Sequence, residues 1–358
     1  MTRADLDERV LGWIAEGVDS PRDDSRFDGL ALALFRHQFE HNAPYRKMCH
    51  AFELTPDRVQ RWQEIPSVPT GVFKEVRLAA FPAERTLRTF RTSGSTNELR
   101  GELHLDTLAV YDASLLATFG AYVCPDREPL QILALTPPAR QARDSSLSYM
   151  FESAMRALGA EGSRFLLGHT RFDMGVVLHE LRELRAPVAL CGTAFAFVHL
   201  LDALSALGLD APLPAGSRLM ETGGFKGRSR EIPRVELHSA LQQAFSVAPE
   251  RIINQYGMCE LGSQFYEPSL VTGKATTAKR IPPWVRTRSV DPASFEEVPS
   301  GEPGLLIHYD LANTGSVLAV QTSDLGRVTD GALEVLGRVP DAEARGCSIA
   351  ADLMLGEA

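Results

Sequence analysis

Between about residues 87 and 245, short apolar runs alternate with longer segments of helical periodicity, and this alternation restricts the fold more than any other feature of the chain. "LRTFRT" reads as a strand and "LDTLAVYDASLLATFGAYV" as a helix. "LQILALT" is a strand and "SLSYMFESAMRALG" a helix. "SRFLLG" and "APVALCG" are short apolar strands separated by the helix-like "FDMGVVLHELRELR". "GSRLMETGG" is a further strand, and a helix follows from Arg230 to Phe245. Strands and helices joined in this order by short connectors predict an α/β fold: mainly parallel sheets flanked by helices on both faces.

The flanks differ. Phe27, Leu30, Leu34, Phe35 and Phe39 recur at helical spacing, so "FDGLALALFRHQFE" buries one face of a helix. The Pro-rich "EIPSVPTGVFK" then connects to the main body. After Glu260, "GEPGLLIHYDLANTGSVLAVQTSDLGRVTDGALEVLGR" has strands broken by Gly, Asn and Asp turns and no helical pattern, which predicts a small antiparallel β-subdomain near the C-terminus, as an open sheet or a small barrel. The expected organisation is a helical region over 1–86, an α/β core over 87–265, the β-subdomain over 266–340 and a tail over 341–358.

Composition excludes several classes. Of 358 residues, 44% are hydrophobic and 23% charged, which is ordinary for a chain with an ample core. The net charge of −9 and the lack of a basic stripe argue against nucleic acid or an anionic membrane as partner. The N-terminus "MTRADLDERV" is too acidic and polar for a secretory signal. The most apolar long stretch, Ala189 to Leu209, carries His199 and Asp202 and reads as a buried strand–helix pair, not a membrane span. Cys49, Cys124, Cys191, Cys259 and Cys347 are scattered without a CxxC pair, so neither a zinc knuckle nor a disulfide framework is expected, and a cytoplasmic location is.

Four short segments carry chemistry. Thr92, Ser93, Gly94, Ser95 and Thr96 put four hydroxyls and a glycine at the mouth of a strand. A phosphate chain would use these donors, and so would an ordinary capped turn. No Walker A motif is present. "ETGGFKGR" places two glycines after a strand, which serves a close backbone approach or a tight turn equally well. In "NQYGMCELGSQ", Tyr256 offers a flat face for a base, and Glu260 is either a Mg²⁺ ligand or a solvated loop acid. "TSDLGRV" places Asp324 where it would accept from ribose hydroxyls or close a β-turn.

The order of these segments, TSGST, GGFKGR, YGMCE, TSDLGR and a final GR, resembles that of adenylate-forming enzymes, the group that includes acyl-CoA synthetases and firefly luciferase. Within it, "CGTAFAFVHLLD", "TGGFKGR", "NQYGMCELGSQFY" and "EARGCS" are similar to the LuxE-type acyl-protein synthetases. The resemblance runs from about Phe73 to Leu353. It implies the large domain of an adenylate-forming enzyme that binds ATP and Mg²⁺. Thr92 through Thr96 would wrap the phosphates. Gly223, Gly224, Phe225 and Lys226 would line the adenine side, with Tyr256, Gly257 and Met258 at the base. Glu260 would bind Mg²⁺, and Asp324 with Arg338 would hold the ribose.

The sequence departs from that pattern twice. The family loop usually ends in lysine, whereas here "STNELRG" offers Arg100. Typical relatives continue into a small domain with an adenylation lysine, whereas this sequence ends at Ala358, so no such lysine is expected in cis. LuxE-type proteins resemble this one in a cysteine near the C-terminus, which implies that Cys347, with Arg345 close by, attacks the acyl-adenylate, although a small idle cysteine would look the same. Phe195, Phe197 and Tyr149 are candidate walls of an acyl pocket, or ordinary core. The expected reaction activates a fatty or aryl carboxylic acid and transfers the acyl group to a thiol, with an acyl reductase, a carrier protein or CoA as acceptor. Direct transfer to CoA, and a non-catalytic nucleotide- or acyl-binding subunit, are the alternative readings.

Overall fold

A computed structural model describes residues 1–93, 99–126, 128–168, 174–223, 232–338 and 350–355. The chain opens with helices α1 (Arg3–Ala15), α2 (Asp24–His41) and α3 (Ala43–Ala51). Strands β1 (Val68–Pro69), β2 (Arg88–Arg91) and β3 (Glu102–Leu105) follow, then α4 (Ala109–Val123). The alternating part comprises β4 (Gln131–Leu135), α5 (Ser146–Leu158), β5 (Arg164–Phe165), α6 (Met174–Arg182), β6 (Val188–Thr193), α7 (Ala194–Leu207), β7 (Arg218–Thr222), α8 (Arg234–Phe245) and β8 (Ile252–Tyr256). The remainder is β9 (Phe265–Tyr266), a short α9 (Ser269–Thr272), β10 (Lys279–Arg280), β11 (Val285–Val290), β12 (Pro303–Asp310), β13 (Ala319–Thr329) and β14 (Ala332–Arg338).

The chain divides into two units. The second, residues 118–257 with 265–279, holds the parallel sheet, in the order β8-β7-β6-β4-β5. Strand β9 adds to the β8 edge in antiparallel sense. Strands β4, β6 and β7 are buried almost throughout, as expected of strands covered on both faces. Their core joins Leu133, Leu190 and Leu219 from the sheet to Val177, Phe197 and Leu241 from the helices. Side-chain caps start two of these helices. Ser145 Oγ accepts from the Ser148 N–H of α5 at 3.1 Å, and Thr193 Oγ1 from the Ala196 N–H of α7 at 3.1 Å.

The first unit gathers residues 1–117, 258–264 and 280–358. Strands β11 to β14 form an antiparallel meander, and β1 joins it in parallel to β13, pairing Val68 with Val320. A chain of aromatic contacts ties the N-terminal helices to this sheet: Trp13–Phe27 at 6.3 Å, Phe27–Trp62 at 5.6 Å and Trp62–Tyr309 at 4.8 Å between centroids. The Arg286 guanidinium lies 4.4 Å from the Phe27 ring centroid and donates from Nε to Asp24 at 2.8 Å.

One element departs from the sequence reading. "LRTFRT" heads the predicted α/β alternation, yet β2 pairs antiparallel with β3 in a separate two-stranded sheet, with Arg91 opposite Glu102. The connection from Thr92 to Gly101 is too short to hold the crossover that a parallel neighbour requires, so the chain turns straight back.

Candidate active site

In the first unit, Thr92 and Ser93, the described part of the hydroxyl-rich segment, follow β2 directly. Thr92 and Gly101 close the base of the connection to β3: the Thr92 N–H donates to the Gly101 carbonyl at 2.9 Å, and the Gly101 N–H donates to Thr92 Oγ1 at 2.9 Å. Arg100 Nε donates to the Thr92 carbonyl at 2.6 Å, so this side chain braces the neck of the loop. Ser93 is exposed, and Gly94, Ser95 and Thr96 lie outside the described residues.

Glu260 meets this neck. It is 5% exposed, and its Oε1 would lie 3.3 Å from a Cβ placed on Gly101, with Thr92 Cγ2 at 3.1 Å and Phe73 Cβ at 3.5 Å. Absence of a side chain at Gly101 is thus what lets a carboxylate approach the hairpin. The backbone around Glu260 is held firmly. Asn313 Nδ2 donates to the Glu260 carbonyl at 2.7 Å. Asp310 Oδ1 accepts from Ser263 Oγ at 2.8 Å and from the Ala312 N–H at 2.9 Å. A Cβ on Gly262 would sit 2.8 Å from the Ala312 carbonyl oxygen, so only glycine fits there. Trp284 Nε1 donates to Ser114 and Ser263, each at 3.1 Å, which completes a buried polar cluster. Burial raises the Asp310 carboxyl to about 6 against these stabilising bonds.

Asp324 and Arg338 form a second constellation in this unit. They are cross-strand partners on β13 and β14, and Arg338 Nε donates to Asp324 Oδ1 at 3.1 Å. Asp324 is buried while the Arg338 side chain is largely exposed.

In the second unit, Gly223 and Tyr256 stand at neighbouring carboxyl ends of parallel strands. Thr222 pairs with Gln255, so each of the two is one step beyond that pair. Gly223 has φ of +76°, a conformation that glycine adopts without strain. The Tyr256 ring packs at 5.7 Å on Phe265 and is half-buried, as is Gly257; Met258, which belongs to the first unit, is half-buried too. Carboxyl ends of parallel strands are the ligand-bearing edge of such sheets. Gly224, Phe225 and Lys226 lie outside the described residues.

A buried charged network that the sequence reading missed fixes these strand ends. Asn254 Nδ2 donates to Glu221 Oε1 at 2.6 Å, and the Asn254 N–H donates to Glu267 Oε2 at 3.0 Å. His238 Nε2 lies 3.1 Å from Glu221 Oε1, Lys279 Nζ donates to Glu267 at 3.4 Å, and Arg234 pairs with Glu267. Burial lowers the Lys279 pKa against the opposing pull of Glu267. The only sequence signal was that two glutamates and a lysine occur beside otherwise apolar strands.

The candidate acyl-pocket residues fall in different environments. Phe197 is fully buried within the sheet–helix core, Phe195 is half-buried against His199 at 4.4 Å, and Tyr149 is buried on α5. Among the described cysteines, Cys49, Cys124, Cys191 and Cys259 are all buried and outside any disulfide. Burial pushes Cys49 to about 12, Cys124 to about 11 and Cys191 well above the ordinary thiol value, which disfavours thiolates there. Cys347 lies outside the described residues. Among the described residues, no three His, Cys, Asp or Glu side chains cluster as a metal cage, and no helix is long and apolar enough to cross a membrane.

The acyl-protein synthetase family LuxE matches residues 7–355. A long-chain-fatty-acid–luciferin-component ligase of Aliivibrio fischeri is 23% identical over 340 residues, covering 90% of this chain and 86% of that protein. Among solved structures, a 2-hydroxyisobutyryl-CoA ligase in complex with its acyl-AMP and CoA superposes with a TM-score of 0.65 at 15% identity, over 88% of this chain and 76% of that one. ATP-bound MatB from Rhodopseudomonas palustris gives 0.51 at 18% identity, over 72% and 49%. The fold is therefore that of adenylate-forming ligases, as the motif order implied. With its match spanning nearly the whole sequence, the chain belongs to the LuxE family of acyl-protein synthetases.

Proposed function

We propose that this protein activates a carboxylic acid with ATP and passes the acyl group to a thiol, first to its own Cys347. The observation that carries the reading is the approach of the buried Glu260 carboxylate to the neck of the Thr92 hairpin, at the space left by Gly101. A single carboxylate beside a donor-rich loop suits Mg²⁺, which takes one or two carboxylates and completes its shell with phosphate oxygens and water. When bound, the ion would neutralise phosphate charge.

Each residue then has a role. Thr92 through Thr96 donate to the phosphates, with Arg100 keeping the loop neck closed. Tyr256 stacks on adenine, Gly223 and Gly224 admit its edge, and Phe225, Lys226, Gly257 and Met258 complete that side. Asp324 accepts from the ribose hydroxyls, oriented by Arg338. The substrate carboxylate oxygen attacks the α-phosphorus and the bond to pyrophosphate breaks, leaving an acyl-adenylate. The chain's contribution is positioning and charge stabilisation. The Cys347 sulfur, its proton given up to solvent, then attacks the acyl carbonyl carbon, and AMP leaves with the former acyl C–O bonding pair. The buried state of the four described cysteines favours Cys347 for this step. A final acceptor, whether an acyl reductase, a carrier protein or CoA, takes the acyl group onward. This chemistry fits the cytoplasm, where thiols stay reduced.

Acid-dependent exchange of pyrophosphate into ATP, screened over fatty and aryl acids, tests the first step. Intact mass after incubation with the best acid and ATP tests the second. The Cys347→Ser variant is expected to keep exchange and lose the acyl adduct. Unchanged turnover to acyl-CoA by that variant, with no adduct on the wild type, would replace the covalent step by direct transfer. No exchange with any acid, with or without an acceptor protein, would overturn the reading as a whole.

A further inference from the structure

Helix α8 meets the sheet of the second unit in two ways. Leu237 and Leu241 join the apolar core, as the buried residues of α6 and α7 do. Arg234 and His238, one turn apart and so on one face of the helix, meet carboxylates instead. Those carboxylates, Glu221 on β7 and Glu267 just after β9, are almost fully buried. Two side-chain nitrogens reach the same oxygen, Glu221 Oε1: Asn254 Nδ2 at 2.6 Å from the sheet and His238 Nε2 at 3.1 Å from the helix. Arg234 Nε stands off at 3.9 Å, its Nη2 committed to Glu267. An ionised carboxylate offers only acceptors, so Nε2 is the nitrogen of His238 that carries hydrogen toward Glu221.

Stability alone does not call for such a seam. A buried ion network gains little over apolar residues of the same volume, and apolar residues fill the rest of this helix–sheet space. What the seam supplies is direction, because a hydrogen bond fixes its partner in distance and angle where apolar contacts do not. The fixed groups lie close to the carboxyl ends of the strands. Glu221 is the register partner of Asn254, and Thr222 with Gln255 comes next. Tyr256 follows Asn254 by two residues in β8 and so shares its face of the sheet. Gly223 follows Glu221 by two. His238 thus holds Glu221 from the helix side, and the same carboxylate oxygen holds Asn254.

We infer, resting on the proposed adenine-side roles of Gly223 and Tyr256, that His238 is a positioning residue for nucleotide binding, which acts through Glu221 and Asn254 without touching the nucleotide. Without the imidazole, Arg234 Nε at 3.9 Å is the nearest donor of α8 to Glu221 among the described residues. The carboxylate then turns toward that guanidinium, Asn254 follows the oxygen to which it donates, and the strand end bearing Tyr256 shifts with it.

His238→Ala, His238→Gln and His238→Asn in the full chain test this role. A glutamine amide nitrogen takes the place of Nε2, whereas that of asparagine reaches only the place of Nδ1. Calorimetry without acid reads ATP binding, and acid-dependent pyrophosphate exchange reads the KM values. His238→Ala and His238→Asn are expected to bind ATP about tenfold more weakly and to show a matching rise in KM for ATP, with KM for the acid unchanged; His238→Gln should return to within about twofold of wild type. Leu237→Ala opens the apolar part of the same helix seat, so it should lower the urea midpoint and leave KM for ATP unmoved. Equal ATP affinity in wild type and His238→Ala, a joint rise of both KM values, or a His238→Gln variant as weak as His238→Ala would overturn the inference. Wild-type ATP binding without any exchange would sink the adenylate reading alone, and calorimetry on the same variants would still decide the role of His238. Absence of ATP binding by the wild type would sink both.

Discussion

At the scale of single residues, the decisive fact is that Gly101 has no side chain. Glu260→Gln keeps the shape of the carboxylate and removes its charge. This variant is expected to lose roughly a hundredfold or more in acid-dependent exchange, with an unchanged circular dichroism spectrum. Gly101→Val would press a branched side chain on Thr92 Cγ2 and Glu260 Oε1. Its exchange activity should fall more steeply than its urea midpoint, because the clash lies at the carboxylate and not in the core. Retained activity in Gly101→Val would mean that the approach of Glu260 to the hairpin has no catalytic consequence. Glu260 and Thr92 stand out as candidates in the sequence because each belongs to a motif in a fixed order. Gly101 does not, since the space a glycine leaves has meaning only beside a side chain that arrives from a distant part of the chain.

At the scale of elements, the ends of β7 and β8 depend on polar side chains inside an apolar setting. Asn254→Ala would leave the buried Glu221 without the 2.6 Å donor, at a cost of roughly 1–3 kcal/mol in urea denaturation. Thr193→Ala removes the cap of α7 and should cost about 1 kcal/mol in the same measurement. A loss within error for both would show that this edge is held by packing alone. Strands β4, β6 and β7 were legible as apolar runs, because burial on both faces dictates their composition. The partner of β2 was not. Its own residues suit either kind of neighbour, and the length of the following connection decides. Strand β1 is two residues long, too short for any pattern to register. The network on Glu221 and Glu267 escaped for a similar reason: periodicity counts apolar positions and says nothing about which buried charges meet.

At the scale of the whole molecule, stability should depend on pH through buried groups of the first unit. His308 is fully buried, and burial holds its pKa down to about 3 from 6.5. The unfolded chain therefore binds a proton that the folded one refuses. This contribution is complete above about pH 6.5 and is lost as pH falls toward 3, on the order of a few kcal/mol. Asp310 acts oppositely. Its folded value of about 6 lies above the ordinary 3.8, so the folded state takes the proton first and stability falls as pH rises between those values. Urea denaturation across pH 4 to 8 should show His308→Gln losing less stability in acid than wild type, and Asp310→Asn gaining more stability than wild type as pH rises from about 4 to 6. Parallel curves for wild type and both variants would discount this assignment. The family was legible at this scale because motif order survives along the chain. The composition of the units was not, because their pieces are not contiguous.

That discontinuity has a consequence during synthesis. The first unit needs β13 beside β1, and Asp310 and Asn313 beneath the segment that carries Glu260. A ribosome thus delivers the helices that bear Trp13 and Phe27 long before Tyr309, the last ring of their aromatic chain, exists. The segment 118–279 emerges whole in the meantime. Folding of the nascent chain should therefore begin in the middle of the sequence, while its opening helices wait, apolar faces uncovered, for the final strands to be translated.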